Sequence, residues 1–173
     1  MDVGLLLLHA VVGLIMAGHG AQKLFGWFGG HGVRGTAGFV ESLGWRPARP
    51  FALALGVAEF VGGLALAIGF ATPLAAAALI AVLANAAWTV HRPNGLWNTA
   101  GGYEFPLALI AASAALAFTG PGVYSLDHAL GWNLSGDEWG LTALALGALG
   151  WLVGTAARSW VSRHSDRTIG QAA

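Results

Sequence analysis

The sequence predicts an all-α integral membrane protein, and three observations carry that expectation. Hydrophobic residues fill 56% of the 173 positions and charged residues only 9%, against about a quarter charged in soluble domains. So few charges could not solvate a water-exposed surface. The apolar residues also gather into five long runs, at 3–25, 49–70, 73–91, 104–119 and 139–157, near the roughly 20 residues that cross a bilayer as a helix. Third, the basic residues are segregated among the connections between those runs.

The first run is preceded by Asp2 rather than by basic residues, so it reads as a retained span and not as a secretory signal. The connection after it, Gly26 to Ala48, is glycine-rich and holds a short amphipathic piece at 36–43. Within it Gly30, Gly32 and Gly35 satisfy G-x-G-x-x-G. A dinucleotide site requires a strand before those glycines, whereas here a membrane helix precedes them. A loop at the membrane surface is the better reading.

Thr72-Pro73 leaves room for only a tight turn between the second and third runs, which makes them an antiparallel hairpin. Pro93 to Gly102 is a polar turn cluster with an interfacial tryptophan, Trp97. The fourth run is short and carries Pro106 in its first turn, where proline is tolerated. Gly120 to His128 is turn-forming and then amphipathic, and Asn133-Leu134-Ser135 matches a glycosylation sequon close to the membrane. The fifth run repeats small residues at Gly140, Ala143, Gly147, Gly150 and Gly154, a stripe suited to close helix packing in lipid. From Ser159 onward the chain is a polar tail.

With five spans, all eight basic residues fall on one side, while Asp2, Asp127, Asp137 and Glu138 lie on the other with no basic residue among them. The positive-inside bias then puts the amino terminus outside and the carboxyl terminus in the cytoplasm. Four spans would blur that split. Equal numbers of acidic and basic residues argue against nucleic acid as a partner. The chain has no cysteine, which removes disulfides, thiolate metal sites and any thiol relay from its own chemistry.

A cluster at the end of the first run, His19-Gly20-Ala21-Gln22-Lys23, is the strongest functional signal. His19 and Lys23 stand at i and i+4 and are expected to project to one side. Glu59 lies about ten residues into the second run, roughly mid-bilayer at about 1.5 Å per residue, and an ionisable group at that depth is a functional hypothesis by default. Asn85, Trp88 and His91 in the third run and Glu104 at the start of the fourth are expected at the same half of the membrane. The bland alternative is a buried Lys23–Glu59 or Lys23–Glu104 pair that only fixes helix register. The His and carboxylate spacings do not suggest a metal site.

Four motifs, Gly18-His19-Gly20-Ala21-Gln22-Lys23-Leu24-Phe25-Gly26, Glu59-Phe60-Val61-Gly62-Gly63, Gly101-Gly102-Tyr103-Glu104-Phe105-Pro106 and Gly120-Pro121-Gly122-Val123-Tyr124-Ser125-Leu126-Asp127, occur in that order. Together they resemble the DoxX family of small bacterial membrane proteins. The resemblance implies a four-helix membrane domain over 1–131 in the bacterial plasma membrane. The helix within 132–158 is then an addition, followed by a cytoplasmic tail, 159–173. It also implies a redox context: DoxX-like and DoxD-like proteins are associated with a thiosulfate:quinone oxidoreductase subunit and with complexes that include soluble enzymes.

The leading expectation is a membrane subunit of a redox system that interacts with a quinone, whether or not the chain is itself an enzyme. A quinone head group needs hydrogen-bond donors, a proton-exchanging group and flat apolar walls. His19, Lys23, Asn85, Trp88 and Tyr103 are the candidate binding residues, with Phe25 as a further stacking surface, and Glu59, Lys23 and Glu104 the candidate proton-handling ones. No metal, haem or flavin is implied, so electrons would come from a partner subunit or soluble enzyme. The alternatives are a structural or assembly subunit that anchors a partner complex at the membrane, and a small-molecule carrier, against which stands the lack of an inverted repeat; whether the chain forms an oligomer is left open. A quinone-sized slot opening to lipid beside Glu59 favours the first; a cluster sealed by its own salt bridges, with no room for a ring, counts against it.

Overall fold

The computed structural model describes the backbone of residues 2–170 and the side chains of residues 2–159. Seven α-helices occur among them: α1 (Asp2–Leu24), α2 (Gly32–Ser42), α3 (Ala48–Ala67), α4 (Thr72–Ala86), α5 (Glu104–Thr119), the short α6 (Leu126–Ala129) and α7 (Asp137–Gly170). A π-helical turn, Ala87–His91, and a 3-10 turn, Arg92–Asn94, extend α4. Among the described residues, four segments are long and apolar enough to cross a membrane: Asp2–Leu24, Ala48–Ala67, Thr72–Asn94 and Asp137–Ser159. The fourth expected span, α5, has 16 residues, about 24 Å at the helical rise.

Short as it is, α5 runs the length of the bundle. Its start lies beside the end of α1, where the rings of Phe105 and His19 are 6.3 Å apart. The loop after it returns to the start of α1, where a Cβ on Gly122 would touch Leu5. Over the polar tail expected at 159–173, α7 continues as helix to Gly170, and the side chains beyond Ser159 lie outside those described.

Glycine decides which helices meet. A Cβ on Gly13 would overlap the backbone of Gly63 and Ala67, and one on Gly20 would overlap that of Phe60. The backbones of α1 and α3 therefore touch along an antiparallel seam, the arrangement that dispersion forces favour in lipid. The glycine stripe of α7 faces the bundle in the same way. Gly147 meets Ile80, Gly150 meets Ala81 and Gly154 meets the Asn85 amide, an ascending order that makes α7 run parallel to α4. Ala143 is fully buried, and Met16, Leu66, Leu79 and Leu116 complete the core between the helices.

One end of the bundle is fastened by a carboxylate. Asp127, fully buried, accepts hydrogen bonds from the Ala71 N–H (2.6 Å), the Thr72 N–H (2.9 Å) and the Thr72 hydroxyl (2.9 Å). It thereby satisfies donors at the start of α4 that the helix itself leaves unpaired. The backbone N–H groups of Leu126 and Asp127 also bond the carbonyls of Ile68 and Gly69, so the loop after α5 is clamped to the α3–α4 hairpin. Asp2, Asp127, Asp137 and Glu138 lie at this end; Lys23, Arg34, Arg46, Arg49, Arg92 and Arg158 lie toward the other.

The G-x-G-x-x-G stretch has a local use. Gly26, Gly29 and Gly32 adopt positive φ (75°, 78° and 62°), which lets the chain reverse from α1 into α2. Gly30 packs against the backbone of Gln22, and the Gln22 amide donates to the Phe28 carbonyl at 3.1 Å. The segment before these glycines is a helix.

Candidate functional site

At the basic end, α2 folds back over the ends of α1, α3 and α4. Its apolar side, Thr36 and Val40, is buried, and the Thr36 hydroxyl donates to the Lys23 carbonyl at 3.2 Å. That bond ties α2 to the last turn of α1. Lys23 then extends toward α3, where its ammonium forms a direct ion pair with Glu59 Oε2. The Glu59 side chain is 6% exposed and that of Lys23 25%: the acid lies inside the bundle, and the lysine reaches it from the rim.

Beside the pair lies a cavity of about 230 Å³. Lys23, Glu59 and Asn85 contribute its polar edge, while Phe39, Trp45 and Phe51 are its aromatic walls. Trp45 and Phe51 pack edge to face, with centroids 5.1 Å apart. Thr89 and His91, from the end of α4, complete the lining; the His91 ring nitrogen Nδ1 donates to the Gly101 carbonyl at 2.9 Å. The pair is direct, yet it leaves a space on one side. Pockets for whole drug-sized ligands usually run to about 300–1,000 Å³, so this cavity suits a single ring with any tail outside it.

A model of the DoxX family matches residues 4–92, which takes in α1 to α4 and with them both members of the ion pair and the cavity walls. The chain belongs to the DoxX family. No curated protein and no solved structure matches it. The DoxX match ends just after the π-helical turn, so α5, the clamping loop and α7 lie beyond it.

The structure brings together Lys23, Glu59 and Asn85 and separates the other candidates from them. Glu104 is exposed, and its carboxylate accepts from the Asn98 N–H at 2.9 Å. It caps its own loop rather than meeting Lys23, because the first turn of α5 places it next to an unpaired backbone donor. His19, one turn before Lys23, does not line the cavity. It leans toward α5 and Phe105, and it lines a shallow depression with Leu14, Ile15 and Phe28. Trp88 is also outside the cavity: Thr89, four residues on from Asn85, shares its face of the helix, whereas Trp88 turns toward α5 and α7 and packs on Trp151 at 5.5 Å. Tyr103 lines that second depression with Trp88. Phe25, a candidate stacking surface, packs edge-on against Phe60.

The aromatic walls were not among the sequence candidates. Their signal was present in the amphipathic spacing of Thr36, Val40 and Leu43. That pattern shows that the segment lies on an apolar surface, and only the fold shows which surface.

Proposed function

We propose that this DoxX-family chain is a membrane subunit of a redox system and that it holds the ring of a quinone in the cavity beneath α2. The observation that carries this reading is the Lys23–Glu59 pair at the edge of a largely apolar, aromatic-walled space of about 230 Å³. A charged pair lining such a space offers a ring carbonyl a donor in Lys23 and an exchangeable proton through Glu59. Phe39, Trp45 and Phe51 supply flat surfaces for the ring. Reduction of the ring to a quinol takes up two electrons and two protons; the chain handles the protons, and a partner enzyme supplies the electrons. The segregation of charge to the two bundle ends supports an outer amino terminus and a basic end in the cytoplasm.

The test is Glu59→Gln, which keeps size and hydrogen bonding but removes the titratable group. Purified wild-type protein should retain quinone on lipid extraction, and the variant should accumulate in the membrane yet lose electron transfer to quinone in vesicles. Unchanged transfer would remove Glu59 from the mechanism. An assembly role is the second reading, favoured by α7: it packs mainly on α4 and α5 and leaves Leu141, Leu149 and Val153 exposed along its outer side. Stoichiometric recovery in a larger complex, with no quinone, would favour it.

A further inference from the structure

A second concave site lies on the other side of Leu43 from the ring cavity. It is a groove of about 780 Å³ between the end of α2 and α7. Leu152 and Ala156 form its apolar floor, Trp88 one wall and Ser42 part of its rim. Arg158 stands six residues beyond Leu152, about 9 Å further along the helix axis, and its side chain reaches across the groove so that a Cβ on Gly44 would lie 3.7 Å from Nε. The Arg92 guanidinium, 4.0 Å over the Trp88 ring, lines the neighbouring depression with Tyr103, so Arg158 is the cation of this groove. Apolar surface therefore gives way to positive charge along the membrane normal.

No acidic side chain lines this groove among the described residues. The described acids nearest in the fold are engaged elsewhere: Glu41 with Arg46 at 3.5 Å, Glu59 with Lys23, and Glu104 with the Asn98 N–H. We propose that the groove binds an anionic phospholipid, with its phosphate at Arg158 and one acyl chain laid along Leu152, Ala156 and Trp88. Charge complementarity selects this occupant. Basic pockets between helices at a cytoplasmic membrane face are the usual setting for anionic head groups, and the order of floor and rim matches a lipid's own order of chain and phosphate. The proposal does not depend on the ring cavity, since Lys23 and Glu59 take no part in it.

Full-length protein in vesicles of phosphatidylcholine mixed with phosphatidylglycerol, released into native mass spectrometry, tests this directly. The wild type should carry phosphatidylglycerol in preference to phosphatidylcholine. Arg158→Gln should lower that preference about fivefold, the effect of one basic residue near an anionic head group. Arg34→Gln, an equal charge change on the exposed side of α2, should leave it intact, and Ala156→Phe, which fills the floor without altering charge, should abolish it. Equal loss in the Arg158 and Arg34 variants would reduce the effect to bulk charge and overturn the site. So would full retention in Ala156→Phe, or displacement of the lipid by inorganic phosphate alone.

Discussion

Lys23, in the last turn of α1, and Glu59, in the middle of α3, form a direct ion pair although 36 residues separate them in the chain. Their surroundings are unequal: the acid is enclosed and the lysine lies at the rim. The energetics of the pair should be unequal too.

Lys23→Met strands a buried carboxylate and should cost about 3 kcal/mol or more. Glu59→Gln leaves a lysine whose long stem can carry its head outward to water, so it should cost less than half as much. Restoring neutrality in the double variant should recover most of the loss of Lys23→Met. Thermal unfolding of the four proteins in one detergent completes the cycle. Equal single-variant losses, simply added in the double, would mean that the pair is open to water.

Glu104→Gln separates the two acids that the sequence alone could not distinguish. Among the described residues its carboxylate bonds only the Asn98 N–H, in an exposed loop, so the change should cost less than about 1 kcal/mol and leave quinone binding unaltered. A binding loss comparable to that of Glu59→Gln would return Glu104 to the site.

Asp127→Ala removes three hydrogen bonds to the start of α4 at once. Loss of a helix cap costs up to about 2 kcal/mol, and buried donors left unpaired add to that. The protein should melt lower and the 120–131 loop should become sensitive to protease, while Asp127→Asn, which keeps one acceptor oxygen, should fall between the two. A melting point unchanged in the alanine variant would show that the clamp contributes nothing.

How much of this was legible in the sequence follows from what each feature depends on. The long helices and the stripe from Gly140 to Gly154 are written in local composition and period, and the structure places them as read, except that α7 continues to Gly170. The Lys23–Glu59 pair could be inferred from depth, because an acid that far into a span needs a cation at its level. Depth says nothing about direction around the helix axis, and that is why Trp88 and Glu104 were grouped with residues they do not face; for His19 the i, i+4 spacing fixes the helix face but not the lean of the ring toward Phe105. Asp127 closes one of the four motifs, but its clamping role left no local trace, since its partners, two backbone N–H groups and the Thr72 hydroxyl, belong to a distant hairpin. The cavity walls depend on α2 folding back, a tertiary event fixed by Thr36 on the Lys23 carbonyl.

The same distinction of faces gives the sharpest test of the cavity. Thr89 lines it with Asn85, and Trp88, its neighbour in sequence, lies outside it. Thr89→Phe adds a ring to a space of about 230 Å³ and should weaken binding of a short-chain quinone at least about tenfold, equivalent to about 1.4 kcal/mol. Trp88→Ala removes a far larger side chain and should leave that affinity unchanged, though it frees Arg92 from its ring. Titration of both variants with the same quinone decides between the two faces of α4. If the alanine variant loses affinity and the phenylalanine variant keeps it, the ring lies against α5 and α7, and the ion pair has no part in binding it.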